Sequence, residues 1–201
     1  APSLYIADKY YIVPEIHDEH YIECILNICK KEHIQGVVSL IDPELSVLSK
    51  HQKVFSDNGI MLFVSDFDAI QTTYDKWLFY EYCLSKNIPT IPTYLSYETF
   101  LLDFNKKLIC FPVFIKPRFG SCSKGIHKTD NLEDLKTEMQ RNSDYIIQKF
   151  MSGQEYGIDA YVDLIDCNVI SIFIKKKLLM RSGETDKAVS VKKPQLFKLI
   201  F

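Results

Sequence analysis

Phe111-Pro-Val-Phe-Ile-Lys116-Pro-Arg118-Phe-Gly120-Ser-Cys-Ser-Lys124-Gly125-Ile126 is the most informative stretch of the chain. The apolar run from Val113 reads as a strand closed by Lys116, and a Gly/Ser loop follows it directly. Glycines let backbone N–H groups approach a phosphate closely, serines add hydroxyl donors, and a lysine brings a point charge. The lysine precedes the loop and Gly125 is followed by Ile-His, so this is neither a Walker A loop nor a G-x-G-x-x-G turn. Taken alone, the stretch reads equally well as a flexible hairpin with a solvated lysine.

Downstream, Ile126–Lys128 reads as a short strand, and Asp130 or Asn131 can cap a helix to about Gln140. Tyr145–Lys149, Tyr156–Leu164 and Val169–Leu179 are successive strand-like runs, which predicts an antiparallel sheet and an α+β domain. Between the first two of these runs lies Gln148-Lys149-Phe150-Met151-Ser152-Gly153-Gln154-Glu155. The Gln148 amide suits the exocyclic amine of adenine, and the backbone at Phe150 and Met151 suits the ring edge. Glu155 stands where a carboxylate can accept both ribose hydroxyls. A β-turn at Ser152-Gly153 beside an exposed glutamate is the alternative, and the phosphate-loop stretch tips the balance toward a nucleotide.

Upstream, strands and helices alternate. Tyr10–Val13 reads as a strand, Asp18 as the cap of a helix to Glu32, and Val37–Ile41 as a strand covered on both faces. Asp42-Pro43 opens a helix ending near Gly59, Ile60–Val64 is a further buried strand, and Tyr74–Lys86 a further helix. This pattern predicts an α/β domain with a parallel sheet over residues 1–91, and a second domain over 92–201, joined near Ile88-Pro89 to Ile91-Pro92.

Composition sets the frame. The 201 residues are 47% hydrophobic and 25% charged, which excludes a disordered tail, a collagen rod and a coiled coil. A net charge of -2 gives no overall footprint for nucleic acid or anionic membrane, and no apolar run is long enough to cross a bilayer. The 6 cysteines show no C-x-x-C pair, so reduced, buried thiols and a cytoplasmic home are expected rather than a disulfide scaffold. His17, His20, His33, His51 and His127 share no metal spacing.

With both motifs in view, the sequence resembles the ATP-grasp family, in particular short proteins similar to the carbamoyl-phosphate synthase large subunit. The lysine-ended strand with Gly120, Ser121, Ser123 and Gly125 resembles the family's phosphate loop. Gln148, Lys149, Phe150, Met151 and Glu155 resemble its adenine hinge and ribose carboxylate. Lys76, in Thr73-Tyr74-Asp75-Lys76, matches another family lysine that reaches the phosphates, and Met180-Arg181-Ser182-Gly183-Glu184-Thr185-Asp186 looks like the loop near the acyl group. The resemblance implies a Rossmann-like pre-ATP-grasp domain followed by an incomplete ATP-grasp domain. It also implies an ADP-forming carboxylate–amine or carboxylate–ammonia ligase acting through an acyl phosphate, with Lys116 and Arg181 catalytic. ATP and magnesium are the implied cofactors, with the magnesium ligands expected beyond Phe201. Small carboxylate and amine substrates are the implied partners, and a homodimer is compatible. A non-catalytic nucleotide-binding module and a biotin-carboxylase type of enzyme are the alternatives. The opening at Ala1-Pro2 and the close at Phe201, just after a helix start at Pro194, lead us to expect an internal fragment of a longer protein.

Overall fold

The computed structural model describes residues 2–120, 123–163, 165–181 and 183–197. The chain divides into two compact units, residues 1–71 and 72–201, a boundary that falls earlier than the proline-rich junction expected at 88–92. The helix ahead of those prolines thus clusters with the second unit.

In the first unit, α1 (Tyr21–Glu32), β1 (Gly36–Val38), α2 (Asp42–Lys50), α3 (Gln52–Ser56) and β2 (Met61–Phe63) succeed one another, and α4 (Phe67–Tyr74) runs across the unit boundary. The two strands pair in parallel, Gly36 opposite Met61 and Val38 opposite Phe63, as the alternation of strands and helices predicts. Cys29, Leu48, Phe55, Ile60, Leu62, Val64 and Ile70 form the core.

Several details differ from expectation. Tyr10–Val13 forms no strand; the segment is instead held by Lys9 and Tyr11, whose side chains both reach the carboxylate of Glu32. The strand expected to reach Ile41 stops at Val38, because the Ser39 hydroxyl accepts the Ile41 N–H (3.1 Å) and turns the backbone into α2. Leu40 is accordingly 93% exposed rather than covered on both faces. Asp18 accepts the His20 N–H, forming a turn before the helix, while His20 itself occupies the cap position of α1.

The second unit begins with α5 (Lys76–Ser85), β3 (Thr93–Tyr94), α6 (Tyr97–Asn105), β4 (Val113–Pro117), β5 (His127–Thr129), α7 (Leu132–Arg141) and β6 (Tyr145–Lys149). Ser96 caps α6 by accepting the Thr99 N–H, and Asn131 caps α7 by accepting the Asp134 N–H. The strands form an antiparallel sheet in the order β3-β6-β4-β5. Phe100, Ile109, Val113, Ile115, Leu135 and Ile147 pack one face of it against α6 and α7.

The chain continues through β7 (Tyr156–Val162), β8 (Val169–Arg181), β9 (Glu184–Ser190) and the short α8 (Pro194–Phe197). The three strands make a second antiparallel sheet, so the succession of strands expected from sequence is present with one strand more. Among the described residues, no helix is long and apolar enough to cross a membrane. The described cysteines are all free, but only Cys29 and Cys83 are buried. Cys110 and Cys167 are exposed, contrary to expectation: each sits in a connection, Cys110 before β4 and Cys167 at positive φ in the β7–β8 turn. Cys122 lies outside the described residues.

Phe100 is fully buried among Tyr94, Phe104 and Phe111. Phe100→Ala should therefore cost about 3–5 kcal/mol of stability. Trp77 is the only tryptophan and lies in this unit, so its fluorescence through a urea titration reads the loss. A change below about 1 kcal/mol would mean that this face is not the core.

Candidate nucleotide site

Strand alternation divides β4 between two environments. Val113 and Ile115 point into the helix-covered core, which leaves Phe114 and Lys116 on the opposite face. Directly opposed residues of an antiparallel pair share a face. Phe114 opposes Gln148 on β6 and Lys128 on β5, and Gln148 opposes Thr93 on β3. The face away from α6 and α7 therefore carries Lys116, Phe114, Lys128, Gln148 and Thr93. Lys149 opposes Val113, so its side chain belongs to the other face and only its backbone borders this one.

Lys76 reaches the same region from the first turn of α5. Its Nζ donates to the carbonyls of Gly120 (2.8 Å) and Arg118 (3.3 Å), at the head of the Gly/Ser loop. Burial lowers the pKa of Lys76. Burial lowers that of Lys116 too, and the neighbouring charge of Lys76 lowers it further. Among the described residues, Lys116 meets no carboxylate and no hydrogen-bond acceptor, while Lys76 feels the charge of Asp75. Two cations so placed are of the kind that would favour an anion.

The loop's glycines serve different needs. Gly120 has φ +98° and open space around its Cα, a conformation that favours glycine and leaves its backbone accessible. At Gly125 (φ +69°) an added Cβ would lie 2.6 Å from the Tyr145 hydroxyl and 3.2 Å from Pro117, so the loop's return is pressed against β4 and β6. Ser123 is at positive φ; Ser121 lies outside the described residues.

Asp75 organises this corner. Its Oδ1 accepts the Trp77 and Leu78 N–H groups, capping α5, and both its oxygens receive the Arg118 fork at 2.7 and 2.5 Å. Burial alone would push the Asp75 carboxyl up, but the Arg118 hydrogen bonds, the two helix N–H groups and the Arg118 charge together hold it below the usual range. Both residues lie within the quoted motifs, and the motifs assign neither of them a role. The available signal was a cap-type aspartate directly before Lys76, and one of only a few arginines directly after the strand lysine.

The rest of the expected set divides. At the hinge, Phe150 N–H donates to the Pro112 carbonyl (3.3 Å), while Met151 N–H is uncommitted among the described residues. The Phe150 ring meets Phe114 edge-on at 5.1 Å and lies 4.4 Å from Lys128 Nζ, a cation the sequence reading passed over. Glu155 is exposed and bound to Lys177 at 2.5 Å. Arg181 ends β8 in the other sheet and pairs with Asp186 at 3.1 Å in an exposed hairpin, so it is not gathered with the two lysines. Asp159 pairs with Lys175 at 2.8 Å, and Asp163 accepts backbone N–H groups in the β7–β8 turn.

Comparison with known proteins agrees with this geometry. Residues 73–200 match the family model described as an ATP-grasp domain, and residues 1–63 match a PylC-like N-terminal domain. The chain belongs to the ATP-grasp family. It is 28% identical over 165 residues to a carbamoyl-phosphate synthase of Methanobrevibacter smithii, covering 79% of this chain and 42% of that protein. It is 27% identical over 147 residues to a D-alanine–D-alanine ligase of Petrotoga mobilis, covering 69% of this chain and 47% of that protein. The fold matches the biotin carboxylase domain of Hydrogenobacter thermophilus 2-oxoglutarate carboxylase, solved with MgADP, at TM-score 0.62 and 17% identity, over 90% of this chain and 43% of that one. The chain thus spans less than half the length of these relatives.

Enzymes of this family use magnesium with ATP. Among the described residues no group of three or more His, Cys, Asp or Glu side chains is arranged to hold a metal ion. Glu155, Asp159 and Asp186 each pair with a lysine or arginine.

Asp75→Asn should destabilise the protein by about 3 kcal/mol, since it strips Arg118 of its charged partner at a buried position. Because the folded-state pKa of Asp75 is depressed, its contribution is complete above the unfolded value of about 3.9 and disappears as pH falls through the folded one. Thermal melts between about pH 5 and pH 2 should show that acid-side loss in the wild type, reduced in the variant. Identical acid profiles would exclude Asp75 as a paired carboxylate.

Proposed function

We propose that the protein is an ATP-dependent ligase that activates a carboxylate as an acyl phosphate for attack by an amine or ammonia, releasing ADP. The observation that carries this reading is the juxtaposition of Lys116 and Lys76, half-buried cations at the head of a glycine loop, of which Lys116 meets no carboxylate among the described residues. A triphosphate supplies the missing charge. Phosphoryl transfer asks mainly for positioning and charge stabilisation, and each lysine–phosphate contact is worth up to about 4 kcal/mol at ~4 Å and an effective dielectric of ~20, before desolvation.

In this reading Lys76 releases the Gly120 carbonyl and takes a phosphate oxygen, while Lys116 meets the same tail from β4. The backbone at Gly120, with Ser121 and Ser123, closes over it, and Gly125 keeps the loop's return in place. The base lies toward the hinge, where Met151 N–H donates to the ring edge, the Lys149 carbonyl and Gln148 amide accept, and Phe150 walls the pocket. Glu155 takes the ribose hydroxyls by exchanging its bond to Lys177. Arg181 acts on the acyl side once freed from Asp186. The γ-phosphoryl group passes to a carboxylate oxygen, ADP leaves, and the amine displaces phosphate from the acyl carbon. The carbamoyl-phosphate synthase likeness supports a ligase of that type.

Lys116→Ala should weaken ATP binding at least tenfold in calorimetry and lower turnover by roughly 10²–10³. Thermal stability should not fall, because the variant removes a cation crowded by Lys76. Wild-type binding should also take up protons at alkaline pH, since phosphate restores a charge that burial disfavours; heats that vary with the buffer's ionisation enthalpy measure this. A Lys116→Ala protein that binds ATP as tightly as the wild type refutes the assignment.

A further inference from the structure

Thr93 is 3% exposed, and its hydroxyl is committed twice. It donates its single hydrogen to the Ile91 carbonyl at 2.8 Å. Its oxygen lies 3.0 Å from Nε2 of Gln148, the residue directly opposite it across the β3–β6 pair. With its hydrogen already spent, Thr93 can only accept from Gln148, so the end of the amide facing it must be the NH₂. The other end, Oε1, accepts no hydrogen bond among the described residues. The chain Ile91–Thr93–Gln148 thus fixes an amide that could otherwise turn over at little cost.

We propose that Thr93 adds to base specificity, beyond what the hinge backbone supplies, by locking Gln148 with its acceptor presented to the nucleotide. This rests on the adenine-nucleotide reading above. A 6-amino purine donates to Oε1. A 6-oxo purine presents an acceptor to an acceptor, and Gln148 cannot turn to meet it without setting Oε1 against a Thr93 oxygen that has no hydrogen left to give. Discrimination therefore comes from a second residue that forbids the flip as much as from Gln148. Thr93 acts as a positioning residue; it need not touch the base.

The test compares ATP with inosine triphosphate by calorimetry. Wild-type protein should prefer ATP. Thr93→Val removes the hydroxyl at nearly constant shape, freeing the amide to turn; the ATP-to-ITP affinity ratio should fall about tenfold, with ITP binding no weaker than before. A merely structural role would weaken both nucleotides together and leave the ratio alone. Thr93→Ser should retain the ratio. Adding Gln148→Glu to Thr93→Val should restore it, because a carboxylate presents an acceptor in either orientation. Should Thr93→Val not fold, Thr93→Ala makes the same prediction. An unchanged ratio in the hydroxyl-less variants overturns the proposal while leaving nucleotide binding intact. Equal wild-type affinity for ATP and ITP overturns it as well, and wild-type protein that binds neither removes the ligase reading with it.

Discussion

The Asp75–Arg118 pair is the constraint on which the site depends. Asp75 sits at the start of α5 and Arg118 just beyond the end of β4, so their bidentate bond ties a helix N-terminus to a strand C-terminus. Lys76 and Lys116 are neighbours of this pair: Lys76 follows Asp75 directly, and Lys116 stands two positions before Arg118. The Arg118 carbonyl then accepts from both the backbone N–H and the Nζ of Lys76. A buried carboxylate is costly unless paired, and a planar fork satisfies it in one orientation only. The energy gained over an apolar contact is small; what the pair supplies is geometry.

The distribution of charge separates the two sheets of the second unit. On β7, β8 and β9, acidic groups have cationic partners: Glu155 with Lys177, Asp159 with Lys175, Asp186 with Arg181. On the face of the other sheet away from α6 and α7, Lys116 has Lys76 as its charged neighbour among the described residues. Surface pairs such as those on β8 contribute little to stability and exchange readily, so they can give way to a ligand. Repulsion between two partly desolvated ammonium groups works against folding, and a multiply charged anion relieves it.

Long apolar and strongly capped segments were legible in the sequence. The strand ending at Lys116, the Asn131-capped helix and the strand from Tyr145 lie where periodicity puts them, because one face of each is buried in a single core. Short elements were not. The strand at Thr93–Tyr94 has only two residues and exists because β6 offers its edge, a tertiary cause with no local periodicity. The stretch from Met180 to Asp186 looks like a family loop, yet Glu184–Ser190 pairs along β8. Among site residues, those carried by a motif were nameable from sequence. Thr93, Lys128, Asp75 and Lys177 draw their roles from partners between 22 and 55 positions away, or from a ring across the strand, and no spacing rule reaches them.

One strand, β4, supplies both the core and the site, since Ile115 is fully buried and Lys116, its neighbour, faces the anion region. The side-chain period of a strand is two, so a slip of one residue would drive the lysine into the core and the isoleucine into the cleft. Hydrophobic burial alone resists that slip only over the few residues of the strand. Three contacts beyond the strand's end add to it: Arg118 N–H on the Asp144 carbonyl at 2.8 Å, the Arg118 fork on Asp75, and the loop's return at Gly125 against Tyr145 and Pro117. Each is made by a residue of the glycine-loop motif or its immediate flank. The loop therefore helps to hold the register that sets Lys116 on the face opposite the core: at Gly125 a φ of +69° disfavours any side chain, and an added Cβ would press on Pro117 and the Tyr145 hydroxyl.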